Sequence, residues 1–478
     1  MTKMSTKTGD QVEARTRQIG RELWERLERR RPTVFEPRWW LDHILEWATT
    51  DEAVKVQMFR FVDALPMLKT SESVSQHLQE YFEEVRQKLP LAARLGLDVA
   101  EPGSMLGKAL AFSARTNARK MAERFIAGTN PAEVYDGLFR LRRKGLAFTL
   151  DLLGEAVLSE GEADAYQQAY LAAIADLAPR VAQWHEHPLL DAPMGKGDSP
   201  APDGIVPPRC SISLKLSALD SQFQPVDARG TTERVKARLR PILQAAQEHG
   251  VHVYIDMEQS QLKPLTLAIV QSLLMEEEFR SNPHYGVVLQ AYLKDSAADL
   301  EALRAWAEKR GTPISVRLVK GAYWESETAT AAYHGWPCPV FAHKWESDRN
   351  FERLTAALFE NRQWLRPAIA SHNLRSLSYA CALSKALDIP PADWEIQMLY
   401  GMAEDQALLL AEAGYRLRIY TPFGERIPGM AYLVRRLLEN TSNDSFLRHA
   451  YDRDARIDEL LGTPGPDATA AASPTTVV

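Results

Sequence analysis

The sequence predicts an α/β protein, a (βα)8 barrel preceded by an α-helical N-terminal region. Three observations lead there. After about residue 208, short runs rich in apolar and β-branched residues alternate with helical segments, a spacing that implies βαβ units and a parallel sheet. Before it, from about 20 to 185, apolar residues recur every three or four positions and strand signals are nearly absent. Seven strand–helix units and a final helix, over roughly 250 residues, suit a closed eightfold barrel, with an open doubly wound sheet as the competing architecture.

Residues 1–20 are polar and read as a disordered N-terminus. The helical region 21–185 and its approach hold VEARTRQIGRELWERLERR, AVKVQMFRFVDAL, VSQHLQEYFEEVRQKL, ARTNARKMAERFIAG and ADAYQQAYLAAIADLAPRVAQWHEH, each apolar on one face. Residues 186–208, dense in Pro and Gly, read as a linker. The barrel, 209–455, contains the strand candidates CSISLKLS (210–217), HVYIDME (252–258), YGVVLQAYL (285–293), PISVRLVKG (313–321), PAIASHN (367–373), WEIQML (394–399) and YRLRIYTPFG (415–424). Its last helix is GMAYLVRRLLEN (429–440), where Met430, Leu433, Val434, Leu437 and Leu438 recur at helical spacing. Residues 462–478, rich in Pro, Ala and Thr, read as a disordered tail.

Hydrophobic residues make up 45% of the 478 and charged residues 25%, the profile of a soluble globular protein. A formal net charge of −6 gives no support to nucleic-acid binding. Cys210, Cys338 and Cys381 are far apart and form no CxxC pair, which argues against a disulfide framework or cysteine zinc site and fits a reducing, cytoplasmic setting. The first residues lack an apolar h-region, and no apolar run is long enough to span a bilayer. Peripheral contact with the inner face of the cell membrane stays compatible with this composition.

In a barrel, catalytic groups project from the C-terminal ends of the strands. The unusual polar residues fall there: Lys215; Asp256; Gln290, Tyr292 and Lys294; Arg317 and Lys320, followed by Gly321, Ala322, Tyr323 and Trp324; His372 and Asn373; Glu395 and Gln397; Arg418 and Tyr420. Each has an ordinary alternative, an outward-facing charge or a helix cap in the case of Asp256 and the SHN tripeptide. Yet Arg317 alternates with Val316 and Leu318, and a barrel interior cannot hold many unpaired charges. The adjacent Arg435 and Arg436 interrupt an apolar helix, with Glu439 one turn on. They read either as a solvated face with a local ion pair or as a carboxylate clamp, since a guanidinium fork matches two oxygens. Lys215, Arg317, Lys320, Arg435 and Arg436 against Asp256 and Glu439 make a pocket with excess positive charge. It suits a ligand with phosphates and a planar ring, together with a small carboxylate. No GxGxxG follows a strand, and there is no HExxH, so neither a dinucleotide glycine turn nor a metal site is expected.

SLKLSAL, IDMEQ, LQAYLKDS, RLVKGAYW, SHN, EIQMLYGM and RRLLEN occur in an order that resembles the signature of proline dehydrogenase. The similarity is closest to the proline dehydrogenase domain of bifunctional bacterial proline-utilisation flavoproteins, and it covers about residues 205–450. It implies a distorted (βα)8 TIM barrel that binds FAD, oxidises L-proline to Δ1-pyrroline-5-carboxylate and passes electrons to a membrane quinone. Carried over by position, Arg435, Arg436 and Lys215 would bind the proline carboxylate. Asp256 would lie near Lys215 and the ring nitrogen, and Tyr323, Leu399 and Tyr420 would pack on the proline ring. Gln290 and Arg317 would contact the isoalloxazine, and Lys320, Gly321, Ala322 and Trp324 the ribityl and phosphate portion. Met257, Val288, His372, Asn373, Gln397, Glu439, Ser445 and Phe446 would complete the FAD site. FAHKWESD (341–348) resembles the family's adenosine-side stretch and carries over Phe341, although Ala342 and Ser347 replace threonines there.

The resemblance implies hydride transfer from C5 of the free amine to flavin N5, with Asp256, Arg317 and Lys215 nearest the chemistry. No aldehyde dehydrogenase-like region follows, so the sequence suits a monofunctional enzyme or a fragment of a bifunctional one. A catalytically idle barrel would be expected to lack pocket residues, and a flavin-free barrel acting on a phosphorylated acid would leave Trp324 and Gln397 without a role.

Overall fold

The computed structural model describes residues 6–30, 51–89, 94, 103–153, 157–195, 203–424 and 457–466. Eight parallel strands close into a barrel in chain order: β1 (Ala147–Leu152), β2 (Cys210–Leu214), β3 (Val251–Ile255), β4 (Tyr285–Gln290), β5 (Ile314–Val319), β6 (Leu365–Ala370), β7 (Glu395–Leu399) and β8 (Leu417–Phe423). β8 returns to β1, with Tyr420 opposite Thr149, so the sheet has no free edge and the open alternative falls away.

β1 is the strand that sequence reading missed, and it corrects the barrel's start from residue 209 to residue 147. The segment follows helix Pro131–Arg143 with only a tight turn between, in which Gly145 takes a φ of +73°. Its signal was present: Leu146, Phe148, Leu150 and Leu152 alternate with Thr149 and Asp151. Residues 186–208 therefore join the helix after β1 to β2 and are not a linker between domains. Their described parts, 186–195 and 203–208, are built in: Arg416 donates to the Leu189 and Ala192 carbonyls at 2.8 and 2.6 Å, and Met194 pairs with Ile205 in an antiparallel bridge.

Each strand turns one set of side chains outward. Leu150, Ile212, Val253, Val287, Val316, Ile369, Ile396 and Leu417 join one continuous core with the surrounding helices, among them Ala228–Glu248, Lys344–Glu360 and Leu374–Ala386. Full burial of such a side chain stabilises by about 1.5–3 kcal/mol, so this outer layer carries the barrel's hydrophobic stability. The inward set is largely polar, with Val288 and Ala368 level with Arg317, and its hydrogen bonds cross between strands that are not neighbours, β5 to β2 and β3 to β7.

The expected disorder of residues 1–20 is corrected for residues 6–20; residues 1–5 lie outside the described residues. A helix runs from Thr6 to Glu28 and lies on Leu374–Ala386. Val12, Thr16 and Leu23 form the buried stripe, and Glu13 takes Arg375 Nη2 at 2.9 Å. Of the predicted tail, residues 462–466 are described and packed: Thr463 donates to Glu13 at 3.0 Å, and Arg349 to the Pro464 carbonyl at 2.9 Å; residues 467–478 lie outside the described residues. Three further helices, Glu52–Ala64, Ser71–Glu83 and Met105–Phe125, build a smaller core from Phe61, Leu65, Val74, Ala111 and Phe125. Leu153, Leu399 and Met402, at the C-terminal ends of the barrel strands, pack into it. No helix among the described residues is long and apolar enough to cross a membrane.

Candidate active site

The C-terminal ends of β1, β2, β3, β5, β7 and β8 bring their polar residues into one hydrogen-bonded cluster. Arg317 sits at its centre, 4% exposed on β5. Its Nη1 donates to Asp256 Oδ1 at 2.5 Å, its Nε to Gln397 Oε1 at 2.6 Å and its Nη2 to Ser213 Oγ at 2.8 Å. The guanidinium also lies over the rings of Tyr254 and Tyr420, 4.2 and 5.1 Å from their centroids, a cation–π geometry that holds it flat. Tyr420 donates its hydroxyl to Asp256 Oδ2 at 2.7 Å. Lys215 places Nζ 3.6 Å from the same oxygen and 3.4 Å from Asp151 Oδ1.

Sequence reasoning missed two residues of the cluster, Ser213, an unremarkable hydroxyl within its strand, and Asp151, whose strand was missed. Asp151 is 1% exposed at the end of β1, the position where a polar residue in an otherwise apolar alternation marks a barrel mouth. It changes the charge balance. Lys215, Arg317 and Lys320 are met by Asp151, Asp256 and Asp348, so the described part of the pocket has no positive excess. Arg435, Arg436, Glu439, Ser445 and Phe446 lie outside the described residues.

Below the cluster, Gln397 donates Nε2 to Glu395 at 2.5 Å, and Arg418 grips Glu395 through Nε, 3.0 Å from each carboxylate oxygen. Arg418 also donates Nη1 to the Phe148 carbonyl at 2.8 Å. Burial alone would push the Glu395 carboxyl up, but Arg418 and Gln397 outweigh it and hold the group below the usual glutamate range. The interior charges anticipated from the strands are thus present and paired with each other.

Lys320 does not join this cluster. Its ammonium is bonded to Asp348 of helix Lys344–Glu360, whose other oxygen lies 3.8 Å from Lys344. Burial pulls Lys320 below the usual lysine range; Lys320 and Lys344 together outweigh burial at Asp348 and hold that carboxyl down. Next to it Gly321 has φ +133°, and a Cβ there would meet the Tyr292 ring at 2.4 Å. Ala322 and Tyr323 are half-buried, and Trp324, 42% exposed, donates Nε1 to the Phe341 carbonyl at 2.8 Å. Phe341 in turn donates its amide to Tyr292, so these residues form a second neighbourhood.

On the remaining strands, Gln290 donates to the Glu258 carbonyl at 3.0 Å, while its buried Oε1 has no partner among the described residues. Met257 and Val288 are buried. His372 Nε2 accepts the Leu399 amide at 3.0 Å, which fixes that nitrogen as unprotonated. Asn373 caps helix Leu374–Ala386 through the Ser376 amide at 2.9 Å, so its ordinary reading holds whatever else it does. Leu399 is half-buried against the N-terminal helices. Chemically, the cluster offers a cation for a small carboxylate, a fixed anion beside it and a hydroxyl within bonding reach.

Comparison with known proteins sets this geometry in a family. The family model described as proline dehydrogenase matches residues 136–449, and that of the proline utilization A N-terminal domain matches 13–125. The bifunctional protein PutA of Escherichia coli is 31% identical over 353 residues, covering 72% of this chain and 25% of that protein. Proline dehydrogenase 1 of Bacillus subtilis is 30% identical over 336 residues, covering 70% of this chain and 92% of that one. A solved structure of proline utilization A from Bdellovibrio bacteriovorus, inactivated by N-propargylglycine, superposes with a TM-score of 0.84 at 39% identity, over 95% of this chain and 44% of that one. The chain thus spans about a quarter of the length of the bifunctional relatives that it matches.

Proposed function

The chain belongs to the proline dehydrogenase family, and from that premise we propose that it oxidises L-proline to Δ1-pyrroline-5-carboxylate, with FAD as the immediate acceptor and a membrane quinone as the final one, the first step of proline catabolism. Peripheral association with the membrane is part of this proposal. The observation that carries it is the Lys215–Asp256–Arg317–Tyr420 cluster at the mouth of the barrel, its three charged members buried, in a chain of this family.

The residues fit a flavin. Gln290 Oε1 is a buried acceptor without a partner among the described residues, as a ring N–H would require. Gly321 presents backbone where a side chain has no room. Met257, Val288, Gln290, Arg317 and Gln397 would hold the isoalloxazine. Lys320, Gly321, Ala322 and Trp324 would hold the ribityl and phosphate portion, with Lys320 sharing its three donors between Asp348 and phosphate. Phe341, His372, Asn373, Glu439, Ser445 and Phe446 would complete the site. When bound, FAD supplies a two-electron acceptor at N5 for the hydride leaving proline C5.

The protein's part is position and charge. Lys215, with Arg435 and Arg436, fixes the substrate carboxylate, while Tyr323, Leu399 and Tyr420 pack on the ring, which converts a bimolecular encounter into an oriented one. Asp256, anchored from both sides by Arg317 and Tyr420, keeps an anion next to Lys215 and the substrate nitrogen. A visible spectrum with and without L-proline tests the proposal. The protein should carry a flavin band that bleaches on L-proline under anaerobic conditions and is lost irreversibly with N-propargylglycine. A folded, colourless protein that cannot be reconstituted with FAD would overturn it.

A further inference from the structure

Gln397 has two chemically opposite ends, and the structure uses both. Its oxygen accepts from Arg317 Nε at 2.6 Å and its nitrogen donates to Glu395 Oε1 at 2.5 Å. Which end faces which partner is decided by those partners. A guanidinium only donates and a carboxylate only accepts, so a reversed amide would set donor against donor and acceptor against acceptor. Glu395 is itself fixed: it is 4% exposed on β7, both its oxygens lie 3.0 Å from Arg418 Nε, and the Tyr254 hydroxyl reaches it at 3.3 Å. Arg418 is anchored on the far side by the Phe148 carbonyl. The line from the Phe148 carbonyl through Arg418, Glu395 and Gln397 therefore ends on the guanidinium that holds Asp256.

We infer that Glu395 is a positioning residue for the reaction: through Gln397 it sets the orientation of Arg317, and so the alignment of positive charge beside the flavin. The inference rests on the proline dehydrogenase reading of the site. Glu395 lies one residue pair further into the barrel than Gln397, and among the described residues it makes no hydrogen bond to Arg317 or Asp256. Its effect passes through the amide: a neutral group at 395 would hold the Gln397 nitrogen less firmly and leave Arg317 alone to fix the amide that orients it.

The test uses the full chain loaded with FAD. In Glu395→Gln the charge is lost at constant shape. Because this leaves the buried Arg418 without its anion, which can unfold a protein, the double variant E395Q/R418M removes both charges together. In whichever variant folds, FAD content should match the unsubstituted protein and KM for L-proline should stay within about twofold. The kcat should fall about tenfold or more, as for loss of one preorganised electrostatic contact. The equilibrium constant for reduction of bound FAD should fall about tenfold, a midpoint potential about 30 mV more negative for a two-electron couple. A purely structural Glu395 would leave the potential unchanged. FAD-loaded variants with an unshifted potential and kcat would overturn the inference while leaving the function intact. If the unsubstituted protein fails to bind FAD or to be bleached by L-proline, the function itself is overturned.

Discussion

At the residue scale, Asp256 is held by three different donors, and their removal should have separable effects. Tyr420→Phe removes one charge-assisted hydrogen bond from Asp256 Oδ2 and leaves the Arg317 bond in place. Such a bond contributes about 1.5–3 kcal/mol, so kcat/KM should fall roughly ten- to a hundredfold with FAD content unchanged. Lys215→Met removes the described cation placed for the substrate carboxylate, and about 2–5 kcal/mol of binding should appear mainly as a raised KM. An unchanged KM in steady-state kinetics would remove Lys215 from the carboxylate site. Gly321→Ala forces a side chain into a backbone conformation that disfavours it and against the Tyr292 ring. It should cost about 1–3 kcal/mol or more by thermal denaturation and weaken FAD retention. Most of these residues were legible from the chain, because a charged or polar residue at the end of a β-branched run is conspicuous. Asp151 was not, for its strand AFTLDL follows a helix directly and lacks β-branched residues other than Thr149. Nor could the sequence reveal that Lys320 would be engaged by Asp348, a contact between a strand end and a helix 28 residues on.

At the element scale, the amphipathic period of helix Thr6–Glu28 was readable from Val12 onward, where Ile19, Leu23 and Leu27 recur, although residues 1–20 as a whole read as disordered. The first turns bury Val12 and Thr16 but are otherwise polar, so tertiary packing decides what composition alone assigned to disorder. The helix is pinned by Glu13, which meets Arg375, Arg17 and Thr463. Burial pushes the Glu13 carboxyl up, but the two guanidinium groups and the hydroxyl outweigh it and bring it down to about 2 from an ordinary 4.5. A depressed carboxyl contributes stability that is complete above its unfolded value and lost as pH falls through its folded one. The helix should therefore loosen between pH 4.5 and about 2, read as faster amide exchange in residues 6–28. Glu13→Ala should flatten that dependence and cost about 1–3 kcal/mol at neutral pH; an identical acid profile in the variant would show that another group governs it. Arg375 also bonds Glu352 and the Leu461 carbonyl, so the same side chain links two outer barrel helices and ties to them the N-terminal helix and the segment at Leu461.

At the scale of the whole molecule, the barrel inverts the usual arrangement of a hydrophobic interior. Its apolar stability lies between strands and helices, and its lumen is a column of paired polar groups running from Arg418 and Glu395 up to Asp256 and Lys215. A column of this kind has little hydrophobic reason to exist; it is explained by the need to hold charge at fixed positions at the mouth. The three N-terminal helices complete the picture by packing beside that mouth on Leu153, Leu399 and Met402. Strand–helix alternation made the architecture legible, whereas the cross-lumen pairing depends on register between strands far apart in sequence and had to be seen. The central claim is that this mouth oxidises proline, and the most direct measurement is an anaerobic single turnover in which the cyclic imine product is trapped and counted against the flavin reduced. One Δ1-pyrroline-5-carboxylate should form for each flavin bleached by L-proline. Bleaching without the imine, or no bleaching in a protein saturated with FAD, would contradict it.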